Sequence, residues 1–181
     1  NKPDFLILKF GQVDIDLNYY YKIVVKNENI NINNFVKNLI NNYIIFILHI
    51  SNYIPLSNII IFGINPPTLI DKNSCFNYTK RIILDNNNNS IKFKQKLFNN
   101  IKSIEIRTHF SIIFNHILKN QCFKNNIKFT NFFNDFLENN IISKKFTNNN
   151  DHHIKGIEND KSNFNPTINL FKKSLINIIY N

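Results

Sequence analysis

The chain has 181 residues, a length suited to one domain, and 43% of it is apolar, close to the globular norm and enough to bury a core. Its formal net charge of +10 comes almost wholly from lysines spread along the chain, with Arg81 and Arg107 the only arginines, which argues against a nucleic-acid interface gathered on one face. The longest apolar run, Tyr43 to Leu48, is too short to cross a bilayer, so no membrane partner is expected.

Asn, Ile, Lys and Phe dominate, Met, Trp and Ala are missing, and there are only three glycines, the composition expected from a very AT-rich genome. The missing Met, with an apolar strand reached as early as Phe5, leads us to expect a piece of a longer domain, truncated at its N-terminus. Cys75 and Cys122 lie far apart in a chain with no disulfide framework, and a reduced, cytoplasmic setting is the expectation.

In chain order, Phe5–Phe10 reads as a buried parallel strand closed by Gly11, which permits a sharp turn at the strand's C-terminal end. Residues 31–51 read as a helix, with Phe35, Leu39, Ile40, Tyr43, Ile44, Ile47 and Leu48 at three- and four-residue spacing. Asn58–Ile64 is the clearest strand, a β-branched run ended by Asn65 and Pro66-Pro67. Residues 71–90 read as loop with a short apolar piece at Arg81–Leu84, and the Asn tract at 85–89 as a surface loop. A second long helix is expected over residues 104–123, facing inward through Ile106, Phe110, Ile113, Phe114, Ile117 and Leu118. Ile127–Thr130 is a short strand, 131–137 a loop or single helical turn, and a last helix starts at Pro166.

This alternation predicts an α/β domain over residues 1–181: a three-layer α/β/α arrangement around a mostly parallel sheet. Ligands of such sheets bind beyond the carboxyl ends of the strands. That rule selects three segments: Gly11–Asp16 with the polar groups Gln12, Asp14 and Asp16; Asn65–Thr68; and Asp151-His152-His153. A carboxylate beside a histidine orients the imidazole and stabilises its charged form, as a general base requires. Two histidines beside an aspartate also suit the beginning of a metal site. His49, His109 and His116 fall on helices and read as surface or core-edge groups, and Tyr19-Tyr20-Tyr21 as packing.

The pairing of Phe10-Gly11-Gln12-Val13-Asp14 after a strand with Asp151-His152-His153 before the last helix resembles the SGNH, or GDSL-type, hydrolase superfamily. The resemblance implies a flavodoxin-like sheet and, across the whole chain, the C-terminal two-thirds of such a domain. It implies His153 as general base, Asp151 as its orienting partner, and Gly11, Gln12, Asp14 and Asn65 on the oxyanion and substrate side. It implies no cofactor and no metal, and a Ser nucleophile on a strand upstream of Asn1. The substrate would be an acyl ester, for instance of a carbohydrate, in hydrolysis or acyl transfer. Val13 stands where the family has its oxyanion-hole Asn, and Asn150 where it has the Asp three residues before His153. Val donates no hydrogen bond, so Gln12 is the candidate substitute. Two other readings stay open: a non-catalytic domain that keeps the fold, and a metal-dependent phosphoesterase using Asp14, Asp16 and the Asp-His-His run.

Overall fold

The computed structural model describes residues 5–84, 90–154 and 166–179; the Asn tract and the opening tetrapeptide lie outside these. Three strands, β1 (Leu6–Leu8), β2 (Ile59–Phe62) and β3 (Lys128–Thr130), form a parallel sheet in the order β1-β2-β3. Leu6 pairs with Ile59 and Leu8 with Ile61; Ile60 pairs with Lys128 and Phe62 with Thr130. All four β2 residues are buried, as a strand covered on both faces must be, and hence the run is continuously apolar rather than alternating. Ile59 and Ile61 join the larger core, whereas Ile60 and Phe62 join a second cluster.

The larger core is filled by α1 (Tyr19–Val24), α2 (Ile32–Ile50), α3 (Lys72–Ile83), α4 (Ile91–Asn100) and α5 (Ile104–Lys124). The second cluster holds Phe132, Phe136, Ile142 and Phe146, with α6 (Pro166–Ile179) laid over it. The Phe171 ring of α6 stacks on Phe62 at 4.9 Å between centroids. A short hairpin, β4 (Leu137–Glu138) with β5 (Ile141–Ile142), closes this side.

α2 starts where the Asn31 side chain accepts a bond from Asn34 N and buries Val36, Ile40, Tyr43, Ile44 and Ile47, close to the face expected. Among the described residues no helix is long and apolar enough to cross a membrane. Cys75 and Cys122 are both free and buried.

Two expectations are corrected. Residues 72–83 are not loop but α3, capped by the Asp71 carboxylate, which accepts from Ser74 N at 2.7 Å. Its buried face is Cys75, Tyr78, Thr79 and Ile83, the right helical spacing carried by residues too polar to signal it. α4 was not anticipated either; Ser90 caps it and Leu97 is its one buried residue. α5 is turned relative to its expected face. Ile106 is exposed, while Arg107, Thr108, Ser111 and Asn115 are buried beside Phe110, Phe114 and Leu118.

Candidate functional site

The ends of β1 and β2 are tied together by side chains. Gly11, at φ +101°, turns the chain out of β1 into a helical segment, and Ile15 N donates to Gly11 O at 3.0 Å. Gln12 and Asp16 lie four residues apart on one side of that segment, and Gln12 Nε2 donates to Asp16 Oδ2 at 2.7 Å. Gln12 Oε1 accepts from Asn65 N at 2.8 Å, and Asn65 Oδ1 accepts from Lys9 Nζ at 2.8 Å. One residue earlier, Asn115 of α5 holds both backbone groups of Ile64: Oδ1 accepts from Ile64 N at 2.8 Å and Nδ2 donates to Ile64 O at 2.9 Å. A buried asparagine used as a backbone partner leaves no polar group of that pair unmatched.

The third segment is drawn to the same edge. Thr68 Oγ1 donates to Asp151 O at 2.9 Å, and Asn148 N donates to Thr68 O at 3.2 Å. Asp151 Oδ1 lies 2.8 Å from His153 Nδ1 and 3.2 Å from His152 Nδ1. Tyr78 Oη of α3 hydrogen-bonds His152 Nδ1. Burial works to raise the Asp151 carboxyl, but the His153 side-chain and backbone hydrogen bonds and both imidazole charges outweigh it and hold the group below the ordinary carboxylate range. His152 is held below the usual histidine value, first by burial and then by the neighbouring His153, with Asp151 opposing.

A narrow cleft runs between these segments, lined by Asp16, Thr68, Leu69, Cys75, Tyr78, Thr79, Arg107 and His152. Arg107, 5% exposed, is the buried cation of this lining. Its Nε donates to Lys102 O at 3.1 Å, and Nη2 donates to Leu69 O at 2.5 Å and Ile70 O at 3.2 Å. Burial pushes the Asp16 carboxyl up to about 6, against the Gln12 hydrogen bond and the Arg107 charge, so this group exchanges its proton near neutrality. Burial also raises the Cys75 thiol, which keeps it protonated and a poor nucleophile.

The raised Asp16 value has a consequence for stability. The folded chain keeps the Asp16 proton up to about pH 6, whereas an unfolded aspartate loses it near its ordinary value of 3.8. Between those values the folded state binds more protons, so stability falls as pH rises through the window, by up to about 3 kcal/mol. Asp16→Asn keeps the acceptor for Gln12 and removes the titration. It should raise the melting temperature at pH 7 and flatten the Tm–pH curve between pH 4 and 6; an unchanged curve would show that Asp16 is not desolvated.

Of the residues singled out in the sequence, Gln12 and Asn65 are bonded to each other, Asp151 and His153 are paired, and Asp151 is tied to Thr68 beside Asn65. Gly11 and Asp14 face elsewhere. They line an apolar pocket with Phe10, Tyr43, Phe46 and Phe114, and Asp14 accepts from Asn18 at 3.0 Å. His152, rather than His153, stands in the cleft wall with Asp16; the His153 side chain is 72% exposed. Tyr78 and Arg107 were not anticipated. The signal for Arg107 was its rarity, one of two arginines among 22 basic residues and placed within an apolar helix. In comparisons with protein-family models, curated proteins and solved structures, nothing matches this chain.

Proposed function

We propose that this edge of the sheet is the acid–base half of an ester-processing site of the SGNH hydrolase type. The observations that support the reading are the tie of Gln12 to Asn65 N at the end of β2 and the tie of Asp151, paired with His153, to Thr68 three residues further on. With the Nδ1 proton of His153 directed at Asp151 Oδ1, 2.8 Å away, Nε2 is left as the base on a side chain that is largely exposed. Gln12 uses one amide hydrogen on Asp16, and its second would serve as the oxyanion donor that Val13 does not provide. The parallel order β1-β2-β3 also fits the sequential part of a flavodoxin-like sheet.

In this reading the nucleophile is a serine on a further strand beside β1, and the substrate is an acyl ester, for instance of a carbohydrate, with water or a second alcohol as acceptor. No serine lines the cleft among the described residues. The test is hydrolysis of p-nitrophenyl acetate by the full-length protein. His153→Ala should lower kcat/KM by at least about 10²-fold, the least expected from losing a general base. Asp151→Asn should lower it less and shift the acid limb of the pH profile. Equal turnover by His153→Ala and wild type would sink the reading.

A further inference from the structure

We infer that Asp151, His152 and His153 form a binding site for one first-row transition cation of the zinc class, with Tyr78 supporting it. The donor spacing is the first argument. Zinc bonds imidazole nitrogen and carboxylate oxygen at about 2.0–2.1 Å in a tetrahedron, which sets neighbouring donors about 3.3 Å apart. Here Asp151 Oδ1 is 3.2 Å from His152 Nδ1 and 2.8 Å from His153 Nδ1, and the donor atoms of all three residues lie within 4.8 Å of one another. The two imidazole rings lie 4.1 Å apart at 35°, so both Nδ1 atoms meet the same carboxylate oxygen. Small movements would seat a cation among them.

The second argument is the crowding of donors around one oxygen. Asp151 Oδ1 is approached by two Nδ1 atoms, and one of these, on His152, is also approached by the Tyr78 hydroxyl. A divalent cation takes the lone pairs of both imidazoles and the carboxylate together. Tyr78, whose side chain also hydrogen-bonds Asp151, is the kind of outer contact that orients metal ligands.

The third argument is donor type and access. Two nitrogens and one carboxylate oxygen suit zinc, nickel or copper, not magnesium or calcium, which take oxygen-rich shells. The cluster opens to solvent through His153, and Thr68 fixes the Asp151 backbone behind it. Asp14 and Asp16 are not among the clustered donors, so one ion is expected, not a two-metal centre. The cation and the ester reading compete for one atom, since His153 Nδ1 carries a proton toward Asp151 in the ester reading and gives its lone pair to the cation here, and cation binding is measured without turnover.

The experiment is calorimetric titration of ZnCl2 into metal-stripped protein at pH 7.5, with MgCl2 as the comparison. One zinc per chain is expected, with no heat from magnesium. His153→Ala and Asp151→Asn should each weaken zinc binding by at least about 10–100-fold. His153 is exposed, so its replacement should leave the core intact, with circular dichroism as the check that the fold is kept. His49→Ala, an exposed histidine on α2, should bind zinc as wild type does. Absence of zinc binding, unchanged affinity in His153→Ala, or an equal loss in His49→Ala would overturn the site.

Discussion

Replacing Arg107 by Met should destabilise the fold by about 4 kcal/mol, although Met fills most of the same volume. Arg107 is buried on α5, and its guanidinium donates to the carbonyls of Lys102, Leu69 and Ile70. Hydrogen bonds to a charged donor are worth about 1.5–3 kcal/mol each, and a buried carbonyl left unmatched costs about 1–3 kcal/mol. The Asp16 carboxylate would also lose a favourable charge, so its proton affinity should rise further. The gain from burying an apolar side chain in its place offsets part of this. For a domain of this size, that loss corresponds to a fall of roughly 8–16 °C in Tm. Arg107→Lys should recover little, since one ammonium does not reproduce the fixed fork that reaches three carbonyls. A Tm within about 2 °C of wild type for Arg107→Met would mean that these carbonyls are satisfied by other groups.

Arg107 also marks the limit of what apolar periodicity reveals. α2 and β2 were legible because their buried positions are apolar: Val36, Ile40, Ile44 and Ile47 at helical spacing, and Ile59–Phe62 as a continuous run. α3 was not, because its inward face is Cys75, Tyr78 and Thr79, residues equally at home in a loop. On α5 the apolar pattern gave the helix but set its face toward Ile106, when the true buried stripe includes Arg107, Ser111 and Asn115. Those polar residues face inward because backbone groups at the strand ends need partners there: Asn115 serves Ile64, and Arg107 serves Leu69 and Ile70. A need of that kind depends on tertiary position and leaves no periodic trace.

The candidate site residues were singled out for a different reason. A parallel sheet directs attention to the carboxyl ends of its strands, and the polar residues that follow β1 and β2 were therefore conspicuous. That rule pointed to Gln12, Asn65 and Asp151–His153, and the structure bonds Gln12 to Asn65 N and pairs Asp151 with His153. The rule does not say which side of a turn each residue faces. Asp14 and Asp16 differ by two positions in a helical segment, which puts them on different faces; Asp16 lines the cleft and Asp14 the apolar pocket.

Glycine use sharpens the point about turns. Left-handed backbone at Asn27, Asn126, Asn139 and Asn140 is carried by asparagine, including both residues of the β4–β5 turn. The short polar side chain of Asn tolerates that conformation where space allows. The two glycines within the described residues stand where space does not. A Cβ at Gly63 would lie 2.6 Å from Asn115 Oδ1, in the path of the clamp on Ile64.

Gly11→Ala should therefore be among the most damaging substitutions in the chain, with a loss of about 4 kcal/mol. Its Cβ would lie 2.2 Å from Cζ of Phe114, whose ring is 1% exposed and held within the core on α5. Overpacking of this kind costs about 1–3 kcal/mol, and a φ of +101° adds about 1–3 kcal/mol for a residue with a side chain. The damage should not be confined to stability. Gly11 sets the exit of β1 toward Gln12, and Gln12 is the bridge between Asp16 and Asn65 N. If the turn shifts, Asp16 loses its hydrogen-bond donor and its carboxyl pKa should climb above the value of about 6 set in the intact cleft. Phe114→Leu, which shortens the opposing ring, should recover part of the stability of Gly11→Ala but not the pKa, because the backbone strain at residue 11 remains. Tm and the Asp16 titration followed by NMR in the single and double variants separate the two effects. Full recovery of both in the double variant would show that the ring contact, not the backbone conformation, is what demands glycine here.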